Sequence, residues 1–353
     1  MSFRPHIVSA QRTEAKDLLL ISTPGNSGPN PQNPRGALVV REISRLAQQR
    51  GIPLRQHIID YESHVAHKIR TQLDNLDIGK TRVIIAAGDG SAALIMPALA
   101  DVQIEVLMAP GGTINVLAKQ LGSTTTESWN KFITGNGSLR TIRLRELDIS
   151  GVNTGHIAQA NWINFCNVGL GARFLDAYDS KDRARSATAN VLRASIELAP
   201  KVVFSSTKFC DFAAVANPLY GPFMNLGFQN DHLSNPEFGV MRLGPEPGFS
   251  AAWKFTALQL LMRDPIRNWY WSDMIPAFFD YFPKHREIRS LAKGFKPVMS
   301  SGGVHEVSFP VKAGEQIYWH TDGSPKHYTF REPDTVMVKR STLPGVVSLF
   351  CTA

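Results

Sequence analysis

The chain has 353 residues, enough to bury a large core and to form two domains. Its 43% hydrophobic and 19% charged residues exclude a disordered protein, and no apolar run approaches the roughly 20 residues of a membrane-spanning helix. A formal net charge of +8 favours anionic partners such as nucleotides or phospholipid headgroups, while the lack of a dense Lys/Arg block or recognition motif argues against nucleic acid.

In chain order, Met1 to Asp17 has no apolar signal core, which argues against secretion. Leu18 to Ser22 reads as a first buried strand, and Thr23 to Arg35, rich in Pro, Gly and Asn, as an irregular loop. Leu38, Val39, Ile43 and Leu46 have helical spacing within 36–50, and Gly51 suits a C-cap. A strand is expected over 53–61, an amphipathic helix over 62–76, and buried strands over 83–87 and 104–108. Each of these last two strands runs into a glycine turn that opens a helix. Alternating strands and helices predict a parallel sheet covered on both faces, with ligands at the carboxyl ends of the strands, where both glycine turns sit.

After about residue 138 the pattern changes. Strands are expected over 140–146, 162–167, 209–216, 239–243, 304–309, 316–320 and 336–339. Helices are expected only near 172–179, 187–198 and 252–262. The fold class is therefore α/β with a second, β-rich domain. The three cysteines, Cys166, Cys210 and Cys351, have no paired spacing, which fits a reduced cytoplasm.

The chemistry gathers at the glycine turns. Gly88-Asp89-Gly90-Ser91 and Gly111-Gly112-Thr113-Ile114-Asn115 each follow a strand. Such turns aim backbone N–H groups at an anion and set the positive end of a helix beside it. The first resembles the GGDGT signature of the diacylglycerol kinase catalytic-domain family, which includes sphingosine, ceramide and bacterial lipid kinases. NAD kinases share it more distantly. The segment from Pro110 to Ala118 is similar to the family's P-x-G-T-x-N-D-x-A, and 164–171 to its N-x-x-x-x-G-x-x-A. Asp322-Gly323-Ser324-Pro325 resembles its late D-G-E-P turn, and the four motifs fall in order.

The resemblance implies a nucleotide-binding domain over 1–138, joined by a tail at 342–353 that packs back on it. A β-sandwich substrate domain over 139–341 is implied beside it, with the active-site cleft between the two. It implies ATP as phosphate donor with Mg2+, and a lipid alcohol as acceptor. Phosphoryl transfer is mostly a matter of positioning and charge neutralisation. Gly88 and Gly90 let the backbone approach phosphate oxygens, Asp89 suits a magnesium ion or its water, and Ser91 suits a helix cap or a phosphate contact. Gly112, Thr113 and Asn115 stand where the family contacts the nucleotide. Asn26, Ser27 and Gly28 fall where it has N-P-x-S-G, in shifted register. The structural alternatives are an Asp89 helix cap, a Thr113 helix cap and a plain solvent loop at 23–28.

The departures are specific. The first glycine of GGDGT is Ala87, the acid after the motif asparagine is Val116, and the Glu of D-G-E-P is Ser324. Phe238 stands where the resemblance implies an acid. That leaves Glu237, or else Asp231 or Asp322, as general base, with Asp322 also the candidate metal ligand. These losses keep two alternatives open: a kinase of a soluble alcohol, and a catalytically impaired nucleotide- or lipid-binding pseudo-kinase.

Aromatic and basic residues interleave over 251–284, among them Trp253, Trp269, Trp271, Arg263 and Arg267. This suits an anionic membrane surface at the inner face, or a buried core. His64 and His67 have helical spacing without a third ligand, and His305, His320 and His327 lie near Asp322 in sequence. A homodimer is an open alternative.

Overall fold

A computed structural model describes residues 13–24, 26, 34–59, 64–100, 102–112, 115–163, 165–169, 172–173, 176–177, 193–194, 196–197, 211–215, 238–243, 295–300, 304–322 and 325–352. The first half alternates as the sequence predicts: β1 (Asp17–Ser22), α1 (Pro34–Gln49), β2 (Leu54–Ile58), α2 (Val65–Asp74), β3 (Thr81–Ala87), α3 (Asp89–Leu99), β4 (Glu105–Pro110), α4 (Val116–Gln120) and α5 (Thr126–Thr134). Strands follow: β5 (Ser138–Gly151), β6 (Gly155–Trp162), β7 (Phe165–Val168), β8 (Asp211–Val215), β9 (Phe238–Leu243), β10 (Phe295–Ser300), β11 (Val304–Val311), β12 (Gln316–Thr321), β13 (Lys326–Thr329) and β14 (Asp334–Cys351).

An eight-stranded sheet has the order β2-β1-β3-β4-β14-β5-β6, with β11 also paired to β14. From β2 to β14 the pairings are parallel, and from β14 to β6 antiparallel. The inner parallel strands β1, β3 and β4 are apolar on both faces, as a sheet covered on both sides requires, whereas the edge strand β2 is largely exposed. Leu19, Ile21, Val83, Ile85, Val106 and Met108 point into one core with α2, α3 and α4. Leu18, Leu20, Ile84 and Leu107 point into the other, with α1 and α5. Thr125 opens α5 with a capping box: its hydroxyl accepts the Ser128 N–H at 3.2 Å, and the Ser128 hydroxyl accepts the Thr125 N–H at 3.2 Å.

A second, six-stranded sheet has the order β10-β9-β8-β7-β12-β13. Leu147, Ile149, Val336 and Val338 from the first sheet pack on Cys166, Val168, Ile317 and Trp319 from the second. The chain is thus mixed α/β with a β-rich second region. β14 joins the two: its start pairs with β11 and β5, and Ser348 and Leu349 pair with Glu105 and Val106 of β4. The register shifts between Thr342 and Val346.

One expected strand divides. Residues 162–167 alternate, yet Trp162 ends β6 in the first sheet and Phe165 starts β7 in the second. The chain crosses between sheets at Ile163, whose N–H is donated to the Asp322 carboxylate at 2.5 Å. The expected strand over 336–339 is instead part of the 18-residue β14. The described parts of the helices expected at 172–179 and 187–198 are helical, whereas 252–262 lies outside the described residues.

Candidate active site at two apposed glycine turns

Strands β3 and β4 are parallel neighbours in register, Ala86 opposite Ala109 and Ala87 opposite Pro110. Their carboxyl ends therefore stop side by side, and each hands over to glycine. Gly88 is the extended N-cap of α3 and has no side chain with which to cap it. The N–H groups of a helix's first turn point out of its ladder, and those of α3 begin at this junction.

The two turns touch. A Cβ on Gly112 would stand 2.5 Å from the Gly88 Cα, and a Cβ on Gly88 would stand 3.2 Å from the Gly112 Cα. Only glycine permits this approach. Gly111 is constrained as well, since a Cβ there would stand 2.5 Å from the Ala86 carbonyl carbon.

Three side chains hold the arrangement. Asn26 is buried and its Nδ2 donates to the Ala86 and Gly111 carbonyls, each at 2.9 Å. It ties the chain just after β1 to both strands at once. A Cβ on Gly36 of α1 would overlap the same Asn26 side chain, so α1 closes over the latch. Asn115 takes left-handed backbone angles, which asparagine tolerates better than most residues. Its Oδ1 accepts the Gly112 N–H at 2.6 Å and its Nδ2 donates to the Gly112 carbonyl at 2.7 Å. Asp89 Oδ1 accepts the Leu117 N–H at 2.9 Å. Asp89 thus caps α4, a different helix from the one it begins.

Asn26 and Asn115 carry roles the sequence did not reveal. Both were expected at the nucleotide, and in the structure their amide protons go to backbone carbonyls that shape the turns. Gly88, Asp89, Gly90 and Ser91 stand together at the start of α3, beside Gly112. Thr113, Ser27, Gly28 and Glu237 lie outside the described residues, as do Asp231, Ser324 and the aromatic stretch 251–284. Lys119 of α4 was not singled out in the sequence. Burial pushes its ammonium pKa down, and the Asp89 charge pushes it back up.

Asp322, the candidate metal ligand, has a left-handed backbone and gives Oδ2 to the Ile163 N–H. Among the described residues no group of three His, Cys, Asp or Glu side chains could hold a metal ion. Of the two acids, each has one oxygen on a backbone N–H. A magnesium ion here would have to be held largely by nucleotide phosphates and water, as Mg2+ commonly is. Also among the described residues, no helix is long and apolar enough to cross a membrane.

Residues 27–147 match the family profile of the diacylglycerol kinase catalytic domain. No curated protein matches the chain. A candidate diacylglycerol kinase from Bacillus anthracis str. Sterne is similar in structure, with a TM-score of 0.51 and 13% identity over 96% of this chain and 98% of that one. At that identity the likeness is one of fold. A second crystal structure, of a diacylglycerol kinase from the same strain, gives 0.46 and 13% over 96% and 98%. Yeast NADH kinase complexed with NADH gives 0.47 and 11% over 99% and 89%. The segment carrying both glycine turns therefore matches the diacylglycerol kinase catalytic domain, the family its motifs resemble, and the match supports a kinase-type phosphotransferase.

Proposed function

We propose that the protein is an ATP-dependent kinase that phosphorylates a hydroxyl group of a lipid, working at an anionic membrane surface on the cytoplasmic side. The observation that carries the reading is the contact between Gly88 and Gly112 at the carboxyl ends of adjacent parallel strands. That is where open α/β sheets bind ligands. The N-terminal α/β region with the closing residues 342–353 holds the nucleotide. The region 139–341 presents the acceptor across a cleft. Backbone N–H groups of Gly88 to Ser91 and of Thr113 bind the phosphates, Gly112 leaves room for them, and Ser27 and Gly28 add contacts from the neighbouring loop. Asp89 orients the charge there. Glu237 accepts the proton of the attacking hydroxyl, and Asp322 is the candidate metal ligand. A magnesium ion bound with ATP supplies charge neutralisation at the transferring phosphate.

The net charge of +8 and the aromatic-basic stretch 251–284 support a lipid acceptor over a soluble one. Val116 and Ser324, standing where the resembling family has acids, favour the pseudo-kinase as the second reading. A nucleotide-consumption assay separates them. The purified protein is given ATP and Mg2+ with diacylglycerol, sphingoid or ceramide vesicles, and in parallel with soluble alcohols. Turnover on vesicles alone supports the lipid kinase, and turnover on a soluble alcohol replaces its acceptor. ATP binding without transfer to any alcohol supports the pseudo-kinase.

A further inference from the structure

α4 is tied to both glycine turns. Its Leu117 N–H is donated to Asp89, and Asn115 just before it is clamped to Gly112. Leu117 and Ala118 are buried in the apolar core behind the sheet, while Lys119 is half-buried. Helical side chains lean toward the N-terminus of their helix, which here is the side of Asn115 and Gly112. Lys119 stands one helical turn after Asn115, its N–H donated to the Asn115 carbonyl at 3.1 Å, and Asp89 is bonded to the same helix two residues earlier, at Leu117. An ammonium has three donors and can serve a carboxylate and a phosphate oxygen together.

We propose that Lys119 is a phosphate-contacting residue: its ammonium, steered toward the glycine turns by Asp89, bridges that carboxylate to the polyphosphate of the nucleotide lodged over Gly88 and Gly112. This rests on the kinase reading above and adds to it a cation supplied by the chain itself. A half-buried ammonium is costly to desolvate and gains most when anions surround it. Asp89 gives one oxygen to Leu117, and the incoming phosphates add further acceptors. Part of the charge neutralisation that phosphoryl donors need is then independent of any divalent ion. Support for the C-terminal end of α4 is the structural alternative for a lysine in its last turn.

The test is calorimetry of ATP and of adenosine with the parent, Lys119→Met and Lys119→Arg, each with Mg2+ and with excess EDTA, beside melting curves. The parent should bind ATP in both media. Lys119→Met should weaken ATP at least about tenfold in both, the loss of one charged contact. It should bind adenosine as the parent does and melt within a few degrees of it. Lys119→Arg should recover most of the ATP affinity. Equal ATP affinity in Lys119→Met overturns the proposal and leaves the kinase reading standing. A matching loss of adenosine overturns it too, because Lys119 would then only support α4. A parent that binds no ATP in either medium removes the kinase reading itself. Should Lys119→Met not fold, Lys119→Gln carries the same comparison.

Discussion

Gly88 and Gly112 meet backbone to backbone, although 24 positions separate them in the chain, because β3 and β4 end in register. No atom beyond hydrogen fits between them. Gly112→Ala forces a methyl group against the Gly88 Cα, where only backbone can yield. Overpacking of this kind costs roughly 1–3 kcal/mol. The melting temperature should fall, and ATP affinity should fall further than stability alone accounts for. A Gly112→Ala protein with parental ATP affinity would detach phosphate binding from this contact.

Asn26 predicts a larger structural effect. Asn26→Ala leaves the Ala86 and Gly111 carbonyls without its amide. Burying a polar group unpaired costs about 1–3 kcal/mol each. Denaturant unfolding should show a loss of about 2–4 kcal/mol, above the usual effect of a loop substitution. Asn26→Asp, which supplies no donor, should be no better than alanine. A loss below about 0.5 kcal/mol in both would show that the latch is not needed.

Asp89 separates capping from chemistry. Asparagine accepts a hydrogen bond as well as aspartate at a helix start, so Asp89→Asn keeps the bond from Leu117. Asp89→Ala loses it, at about 1 kcal/mol. Melting curves should rank parent, Asp89→Asn and Asp89→Ala with only the last clearly lower. Turnover should fall at least about tenfold in both variants, the scale of one electrostatic contact at the transition state. If turnover in Asp89→Asn equals that of the parent, the residue is a cap alone.

Asp334 predicts an acid limb. The Asn153 N–H, then the Thr154 hydroxyl and further N–H groups, hold its carboxyl down at about 2. The bonds to Asn153 and Thr154 pin the turn between β5 and β6 at 2.7 to 3.0 Å. A lowered carboxyl pKa stabilises the fold above its ordinary value near 3.8. That contribution is lost as pH falls toward 2. Stability measured between pH 5 and pH 2 should decline more steeply in the parent than in Asp334→Asn, which has no proton to gain. Parallel slopes would assign the acid limb to other groups.

The first half of the fold is legible in the sequence because burial on both faces leaves a continuous apolar signature in residues 18–21, 83–87 and 106–109. Both glycine turns are legible for a related reason: a backbone contact excludes every other residue type. β10 and β13 were not foreseen. Lys296 and Pro297 interrupt the apolar pattern of β10, and β13 is four residues long. The sheet crossing at Ile163 leaves no trace in alternation, since Trp162, Ile163 and Cys166 are all buried. In the site, Asn26 was singled out for the nucleotide, but its latching of the strand ends was not legible, and Lys119 was passed over. Asn26 bonds to Ala86, 60 positions away, and the charge that acts on Lys119 is Asp89, 30 positions away; local pattern carries no information over such spans.

The strand β14 sets an order on folding. Its residues Ser348 and Leu349 bond to Glu105 and Val106, about 240 positions earlier, and separate β4 from β5. Until β14 arrives, β4 has an unpaired edge, and the loop that must close is almost the length of the region between them. On a ribosome the parallel half emerges early but waits, with that edge exposed, for the strand that completes it. Pairing of such long span is slow and prone to association with other chains. A chaperone that shields the β4 edge would therefore raise the yield of this protein more than it would for a domain whose sheet closes locally.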